Sequence, residues 1–201
     1  MKTVLITGCS TGIGRATAEY FQAMGWQVAA TMRNPDAEKE LKQLENVMCL
    51  KLDVEDTSTI EAAIHEVIAQ WKAIDVVVNN AGYGSVGPFE AASEHQIQKQ
   101  FGVNVFGMMN VTRAVLPHFR EKKSGLFINV SSLGGRMAWP LQSLYHSTKW
   151  AVEGFSESLQ YELKPLGIGV KLVEPGAIQT DFFGRSQEYI ENKTLTDYTS
   201  Y

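Results

Sequence analysis

The chain has 201 residues, of which 44% are hydrophobic and 20% charged, as in a globular domain able to bury a sizeable core. Its formal net charge of -4 argues against nucleic acid and anionic membrane surfaces as partners. The two cysteines, Cys9 and Cys49, show neither a disulfide framework nor metal-ligand spacing. No apolar stretch is long enough for a signal peptide or a membrane-spanning helix. These features predict a cytoplasmic protein without a metal site or a membrane segment.

Short β-branched runs alternate with longer helical patterns along the chain. In chain order the pattern predicts a strand at 4–6, a helix at 13–24, strands at 27–31 and 47–52, a helix at 57–71, strands at 74–78 and 126–130, a helix at about 143–163 and a strand at 170–173. The fourth strand is apolar on both faces, as in a parallel sheet covered by helices on both sides. The pattern predicts one α/β domain over 1–201 with a doubly wound, mostly parallel Rossmann-like sheet.

A glycine-rich turn follows the first predicted strand and opens the first helix, in the order Thr7-Gly8-Cys9-Ser10-Thr11-Gly12-Ile13-Gly14. Gly8 permits a tight turn, Gly12 lets the backbone approach a pyrophosphate, and Gly14 lets the helix pack close to the sheet. The helix N-terminus offers free N–H groups to phosphates. The turn therefore predicts a dinucleotide site, and the alternative is an ordinary strand-to-helix turn rich in small residues.

The end of the second strand bears on the choice of cofactor. NAD-binding proteins usually place an acidic residue there, whereas this chain has Met32 followed by Arg33. A guanidinium can bind a 2'-phosphate bidentately or stack on adenine. NADP(H) is therefore predicted over NAD(H), the alternative being that Arg33 is only a solvated loop residue. Asp53, at the end of the third strand, either accepts a hydrogen bond from the adenine amino group or caps the next turn.

A tyrosine and a lysine, Tyr145 and Lys149, lie at i and i+4 on one face of a predicted helix. The reference pKa of a phenol is about 10, too high for acid-base work at neutral pH. A nearby ammonium, or a cationic nicotinamide, lowers that pKa. The pair suits proton exchange with a hydroxyl or carbonyl oxygen, although the motif alone recurs by chance. Ser131 and Ser132 end the preceding strand, where open α/β sheets place their ligands.

Taken together, these motifs resemble the short-chain dehydrogenase/reductase family over nearly the whole chain. The glycine turn fits its T-G-x-x-x-G-I-G pattern, Asn79-Asn80-Ala81-Gly82 fits its N-N-A-G motif, and Pro175-Gly176 with Thr180 fits the turn after the sixth strand. Asn104, Ser132, Tyr145 and Lys149 fit its catalytic tetrad. The branch that the chain resembles most is that of the retinol and hydroxysteroid dehydrogenases.

The resemblance implies hydride transfer between an alcohol and a carbonyl, with a role for each matching residue. Tyr145 would be the acid/base, and Lys149 would bind the nicotinamide ribose and lower the Tyr145 pKa. Ser132 would bind the substrate oxygen, and Asn104 would hold a relay water. The cofactor would be lined by Gly8, Ser10, Thr11, Gly12, Ile13, Gly14, Arg33, Asp53, Asn80, Ala81, Gly82, Tyr145, Lys149, Pro175, Gly176, Ile178 and Thr180.

The substrate is expected to be a small, hydrophobic alcohol or carbonyl compound. Apolar side chains flank the catalytic stretch and a substrate loop from about residue 176 onward: Met137, Trp139, Leu141, Phe182 and Phe183. Family members usually run longer, so the resemblance implies that a C-terminal strand and helices are missing here. That edge of the sheet often mediates oligomers, and a homo-oligomer is compatible with the sequence.

Two other functions fit parts of the pattern. A non-catalytic, nucleotide-binding regulatory protein would explain the short C-terminus, but it would not need Asn104, Ser132, Tyr145 and Lys149. An isomerase or lyase could use the same Tyr-Lys chemistry on a nucleotide-sugar, but the chain lacks room for the larger substrate domain of such enzymes. The leading hypothesis is an NADP(H)-dependent oxidoreductase.

Overall fold

The computed structural model describes residues 1–178, 180, 182, 184, 186–192 and 194–198. In chain order its strands are β1 (Thr3–Thr7), β2 (Gln27–Met32), β3 (Val47–Lys51), β4 (Val76–Asn79), β5 (Gly84–Val86), β6 (Gly125–Val130), β7 (Ile168–Val173) and β8 (Gln187–Tyr189). Its longer helices are α1 (Gly12–Ala23), α2 (Thr57–Trp71), α3 (Glu94–Phe101), α4 (Met108–Lys122) and α5 (Ser143–Leu163).

Six of the strands form a parallel sheet in the order β3-β2-β1-β4-β6-β7. The chain order reverses between β1 and β4, and such a switch point opens a crevice at the carboxyl ends of the strands. The predicted doubly wound, Rossmann-like α/β fold is confirmed, and each of the six predicted strands and three predicted helices is present within about two residues of its expected limits.

Successive residues of β1 point to opposite faces of the sheet and enter two separate apolar clusters. Leu5 packs with residues of α2, α4 and α5, such as Val67 and Phe119. Val4 and Ile6 pack on the other face with residues of α1. Because β1 is fully buried on both sides, the glycine turn that follows it starts from a rigid base.

A long helical segment over 94–122 was not predicted from the sequence. It joins α3 to α4 through a π-helical turn, Gly102–Gly107, and contains Pro117. Glycine and proline disfavour a helix locally, but here tertiary packing outweighs propensity. A Cβ on Gly102 would lie 2.4 Å from Glu55 Oε1, and one on Gly107 would lie 2.5 Å from Val54 Cγ2. The two glycines let the segment approach the loop before α2.

A second, two-stranded sheet connects the C-terminal part of the described chain to the rest of the domain. β5 pairs in parallel with β8, and the Ile190 amide donates to the Val86 carbonyl at 2.8 Å. A Cβ on Gly87 would lie 2.0 Å from the Ile190 carbonyl oxygen, so this docking requires glycine. These three-residue strands were not predicted either, because each depends on a partner about a hundred residues away rather than on its own pattern.

Candidate active site

A cleft of about 870 Å³ lies at the carboxyl ends of the parallel strands. It is lined by residues from the turns after β1, β2, β3, β4, β6 and β7, as expected at a switch point. Of the residues predicted to form the site, Gly14 and Asn104 do not line this cleft, and the others all do: Gly8, Ser10, Thr11, Gly12, Ile13, Arg33, Asp53, Asn80, Ala81, Gly82, Ser132, Tyr145, Lys149, Pro175, Gly176, Ile178 and Thr180.

The glycine turn is shaped by backbone conformation at Gly8 and Gly12 and by close contacts at Gly8 and Gly14. Gly8 and Gly12 have φ of 73° and 59°, in the left-handed region that favours glycine. A Cβ on Gly14 would lie 2.3 Å from the Gly8 carbonyl oxygen and 2.4 Å from Asn80 Nδ2. The expectation that Gly14 allows packing against the sheet needs correction, because its close neighbours are the turn itself and Asn80.

Thr7, a residue that the sequence analysis assigned no role, ties this turn to the segment after β4. Its hydroxyl accepts from the backbone N–H groups of Asn80 and Ala81, each at 3.0 Å. In return, Asn80 Nδ2 donates to the carbonyl oxygens of Thr7 at 2.9 Å and Gly8 at 3.1 Å. The Asn80 side chain therefore braces the turn while the residue also lines the cleft. The signal for Thr7 was its place at the carboxyl end of β1.

Among the described residues, the arginine that lines the cleft, Arg33, has no acidic partner. Arg15 is paired with the carboxylates of Glu19, Glu38 and Glu40. Arg33 is exposed and forms no ion pair with any residue in the described part of the chain. Met32 before it is buried, so no carboxylate occupies the position where an NAD-binding protein would place one.

Asp53 is committed in part to its own turn. Its Oδ1 accepts from the Glu55 backbone N–H at 3.1 Å, while Asp56 rather than Asp53 caps α2 by accepting from Ser58. Asp53 also lines the cleft, so both interpretations drawn from the sequence, the adenine contact and the turn, remain compatible with its position.

The cleft is lined by three of the predicted catalytic side chains: Tyr145, Lys149 and Ser132. The Ser132 hydroxyl lies close enough to the Tyr145 phenol to lower its pKa in part. Lys149 Nζ lies 5.8 Å from the centroid of the Tyr145 ring and donates to the Val130 carbonyl at 2.9 Å, which leaves two of its three donors for other groups. Tyr145 and Lys149 are buried, at 6% and 7% exposure. Tyr145 and Lys149 from α5 and Ser132 from the loop after β6 thus line the same cleft.

The pKa values of the pair differ from the sequence expectation. Burial raises the pKa of the Tyr145 phenol, and the hydrogen bond with Ser132 lowers it in part. Burial also lowers the pKa of Lys149 to about 8, with the negative charge of Glu153 acting in the opposite direction. The predicted lowering of the Tyr145 pKa by Lys149 is therefore wrong for the protein alone, because desolvation penalises phenolate and ammonium alike.

Asn104 holds the catalytic helix rather than facing the cleft. Its Nδ2 donates to the Tyr83 carbonyl at 2.8 Å and to Thr148 Oγ1 at 3.1 Å, and its Oδ1 accepts from the Tyr83 N–H at 3.0 Å. Within the described residues, these side-chain bonds lead to Tyr83 and Thr148 and not to Lys149. The π-helical turn brings the buried amide within reach of both partners.

The apolar set predicted for the substrate is only partly gathered at the cleft. Trp139 and Phe182 line it, and the Phe182 ring lies 6.0 Å from that of Tyr145. Met137 is exposed elsewhere, and Leu141 lines a separate shallow depression of about 460 Å³. Phe183 lies outside the described residues. The sequence analysis missed other residues that line the cleft: Lys99, Leu133, Gln142, Ala177, Ser186, Gln187 and Glu188.

His146, set aside from the sequence as structural, packs behind the cleft. Its ring lies edge-on to Trp139 at a centroid distance of 4.4 Å, and burial lowers its pKa.

Among the described residues, no cluster of His, Cys, Asp and Glu is placed to bind a metal ion. No helix in the same part of the chain combines the length and apolarity needed to cross a membrane.

Comparison with known proteins decides the family. Residues 2–190 match the family model described as short chain dehydrogenase. The chain belongs to the short-chain dehydrogenase family. Two uncharacterized oxidoreductases of Schizosaccharomyces pombe are each 43% identical to this short-chain dehydrogenase over 167 residues, which are 82% of the chain and 71% of each relative. A 3-ketodihydrosphingosine reductase of Bacteroides thetaiotaomicron is 39% identical over 196 residues, 98% of the chain and 68% of the relative.

Solved structures of the same family share the fold. A short-chain dehydrogenase from Streptomyces avermitilis superposes with a TM-score of 0.90 at 39% identity, over 98% of this chain and 75% of that one. ElxO with NADP bound gives 0.85 at 32% identity, over 90% and 75% of the two chains. A 3-ketoacyl-(acyl-carrier-protein) reductase from Brucella melitensis complexed with NADH gives 0.87 at 29% identity, over 90% and 77%. None of these names specifies a retinol or hydroxysteroid dehydrogenase, so that branch stays a prediction.

Proposed function

We propose that this oxidoreductase interconverts a hydrophobic alcohol and its carbonyl compound with NADP(H), using Tyr145 as the acid/base. The observation that carries the proposal is that buried Tyr145, with Lys149 Nζ 5.8 Å from its ring centroid, lines the same cleft as Ser132 and the glycine turn. Ser132 and Tyr145 supply the few orienting polar groups that an otherwise apolar ligand pocket needs. In this proposal the segment from about residue 176 onward acts as the substrate loop.

The residues present fit a dinucleotide. The turn at Gly8 and Gly12 is a cradle that a Cβ would fill, and it opens the N-terminus of α1 towards the cleft. In this proposal the residues 10–13 would hold the phosphates, Arg33 the 2'-phosphate and Asp53 the adenine. Asn80, Ala81 and Gly82 would line the adenosine side, and Pro175, Gly176, Ile178 and Thr180 the nicotinamide side. NADP(H), when bound, supplies or accepts a hydride.

The side chains around Tyr145 would each perform one task in the reaction. In the reduction direction Tyr145 gives its proton to the carbonyl oxygen, and Ser132 donates a hydrogen bond to the same oxygen. The two remaining N–H groups of Lys149 bind the nicotinamide ribose, and its positive charge favours the phenolate left behind. Asn104 holds α5 through its bond to Thr148, and in this proposal it would also hold a water that relays protons to Lys149.

The preference for NADP(H) rests on Arg33, because related structures hold either cofactor. ElxO holds NADP, and the Brucella reductase is complexed with NADH. A charge-assisted bond from Arg33 to the 2'-phosphate should make NADPH bind about ten- to a hundredfold more tightly than NADH. Arg33→Ala should remove most of this difference by weakening NADPH alone.

Calorimetry with both cofactors checks this expectation. Arg113→Ala is the matched control, because Arg113 is an exposed arginine on α4 that contacts only Asn110 among the described residues. Equal or tighter binding of NADH by the unmodified protein would contradict the assignment of Arg33.

A hydrophobic substrate is supported by the cleft beside Tyr145. Leu133, Trp139, Ile178 and Phe182 line it together, and the first three are 39% to 47% exposed in the protein alone. The name of the Bacteroides relative, a 3-ketodihydrosphingosine reductase, supports a long apolar ketone as one candidate. A retinoid- or steroid-like ketone is the candidate that the sequence resemblance added.

A homologous series of straight-chain ketones tests this proposal, with NADPH absorbance as the readout. Each methylene that enters the cleft should contribute about 0.8 kcal/mol, so kcat/KM should rise about fourfold per methylene until the cleft is filled. A flat or falling series, or a preference for sugars and other polyols, would refute the hydrophobic substrate and leave the oxidoreductase family untouched. A cytoplasmic location and a homo-oligomeric assembly remain predictions.

A further inference from the structure

A third titratable side chain, Glu153, follows Tyr145 and Lys149 along the same stripe of α5. The three residues are spaced four apart, so they lie one turn above the next on one helix face. Glu153 is only 4% exposed, and carboxylates are rarely buried so fully unless they are paired. The reaction proposed above does not use this carboxylate, so its burial needs another explanation.

Glu153 lies directly under the loop that carries Ser132. A Cβ on Gly135 would lie 2.8 Å from Ser131 Oγ, 2.9 Å from Glu153 Cγ and 3.0 Å from Glu153 Oε1. Glycine is therefore needed at 135 for the loop to close over the carboxylate. Ser132 belongs to the same loop, between Ser131 and Gly135. The position of this loop relative to Glu153 therefore affects how far the Ser132 hydroxyl lies from Tyr145.

Arg136, at the end of the same loop, holds it against three carboxylates. Its Nη2 lies 3.1 Å from Glu153 Oε2, 3.0 Å from Glu157 Oε1 and 3.1 Å from Glu174 Oε1. The Arg136 side chain is 47% exposed, that of Glu157 56% and that of Glu174 32%, whereas the Glu153 side chain is 5% exposed. Neither Glu153 oxygen makes a well-aligned hydrogen bond with the described residues.

The ion pair between Arg136 and buried Glu153 contributes little to the stability of the fold. A buried ion pair with unsatisfied oxygens stabilises a fold little, because desolvation offsets the attraction. Burial raises the pKa of Glu153; the Ser131 hydroxyl and Arg136 lower it, while Glu174 and Glu157 raise it. The charge that faces Glu153 from the catalytic side is Lys149, whose pKa Glu153 raises against the effect of burial. Lys149 and Glu153 lie one helical turn apart on the same face of α5, so Glu153 lies next to both the Ser132 loop and the helix turn that carries Lys149.

We propose that Glu153 is a positioning residue for the reaction: held by Arg136, its carboxylate supports the Ser131–Gly135 loop and places a negative charge one helical turn from the Lys149 ammonium. This inference rests on the proposed function, in which Ser132, Tyr145 and Lys149 act on the substrate. Glu153 itself touches neither substrate nor cofactor in this account, and it acts only through the loop and Lys149.

The direct test measures Lys149 in the protein alone, without any substrate. Lysine side-chain NMR, with the Lys149 signal assigned by its loss in Lys149→Arg, gives the Lys149 pKa in the parent protein and in Glu153→Gln. Loss of a negative charge one helical turn away should lower that pKa by about one unit. Glu157→Gln, which removes an exposed partner of the same Arg136, is the control and should leave the pKa in place.

Kinetics supply a second readout that a merely structural role would not move. With less ammonium at high pH, Glu153→Gln should lose carbonyl reduction at a lower pH than the parent, with kcat falling and the NADPH Kd unchanged. Glu153→Asp, which keeps the charge, should restore the parent profile in part, and it also serves if the glutamine variant does not fold.

An unchanged Lys149 pKa in the folded variant, or an equal shift in Glu157→Gln, would overturn the proposal. Failure of the proposed function itself would appear instead as normal turnover in Tyr145→Phe.

Discussion

Replacing Tyr145 by phenylalanine should lower carbonyl reduction by about a thousandfold, in the range that a positioned general acid contributes. The substitution removes one buried hydroxyl and keeps the ring, which contacts Phe182 and faces Lys149. Ser132 keeps its bond from the Gly134 N–H at 3.1 Å. The cofactor side of the cleft is unaltered, so the NADPH Kd from calorimetry should stay the same while kcat from NADPH absorbance falls.

Tyr161→Phe is the matched control for this prediction. Tyr161 lies on the same helix but is 81% exposed and far along it from the cleft. Its loss should change neither kcat nor binding. If Tyr145→Phe retained turnover comparable to that of Tyr161→Phe with the best substrate, the assignment of Tyr145 as the acid would be wrong.

Gly14→Ala should have the largest effect on cofactor binding of any single methyl group added to the chain. The new Cβ would overlap the Gly8 carbonyl oxygen and the Asn80 amide, both of which are fixed by the Thr7 network. Overpacking of this kind costs about 1–3 kcal/mol in stability. Because the turn itself must move, we expect the NADPH Kd to rise about a hundredfold, a loss of about 2.7 kcal/mol. Thermal unfolding with and without NADPH measures both effects.

Gly154→Ala provides the opposite expectation in the same protein. A Cβ at Gly154, inside α5, would meet no atom within 4 Å. Alanine there should stabilise the helix by about 0.5–1 kcal/mol and leave binding unaltered. The explanation of the glycine turn would be refuted if Gly14→Ala unfolded and bound NADPH as Gly154→Ala does.

The sequence could predict those parts of the fold whose determinants are local. The six core strands are β-branched and apolar, and α2 and α5 carry clear periodic faces, so their positions follow from pattern alone. The segment over 94–122 could not be predicted in the same way. Its glycines and Pro117 weaken the local signal, although Ser93 and Gln96 form a capping box at the start of α3 that the sequence interpretation missed. Gly102 and Gly107 leave room for Glu55 and Val54.

The candidate site likewise has parts that local sequence patterns predict and parts that they do not. Glycine spacing and the Tyr145–Lys149 pair are local patterns, and the structure brings them together at one cleft. The roles of Thr7 and Glu153 depend on contacts between segments that are distant in the chain, and no spacing rule contains them. The direction of the Tyr145 pKa shift depends on burial, which sequence reasoning underweighted against the nearby ammonium.

The most direct test of the central claim follows the hydride itself. NADPH carrying deuterium at the transferable C4 position is incubated with the protein and the best apolar ketone from the homologous series, and the alcohol product is examined by mass spectrometry. The account predicts that NADPH consumption is matched by alcohol carrying deuterium on its carbinol carbon, with none formed by Tyr145→Phe. Alcohol without deuterium on its carbinol carbon, or conversion of the ketone to a product of the same oxidation level with the NADPH left unconsumed, would contradict this prediction.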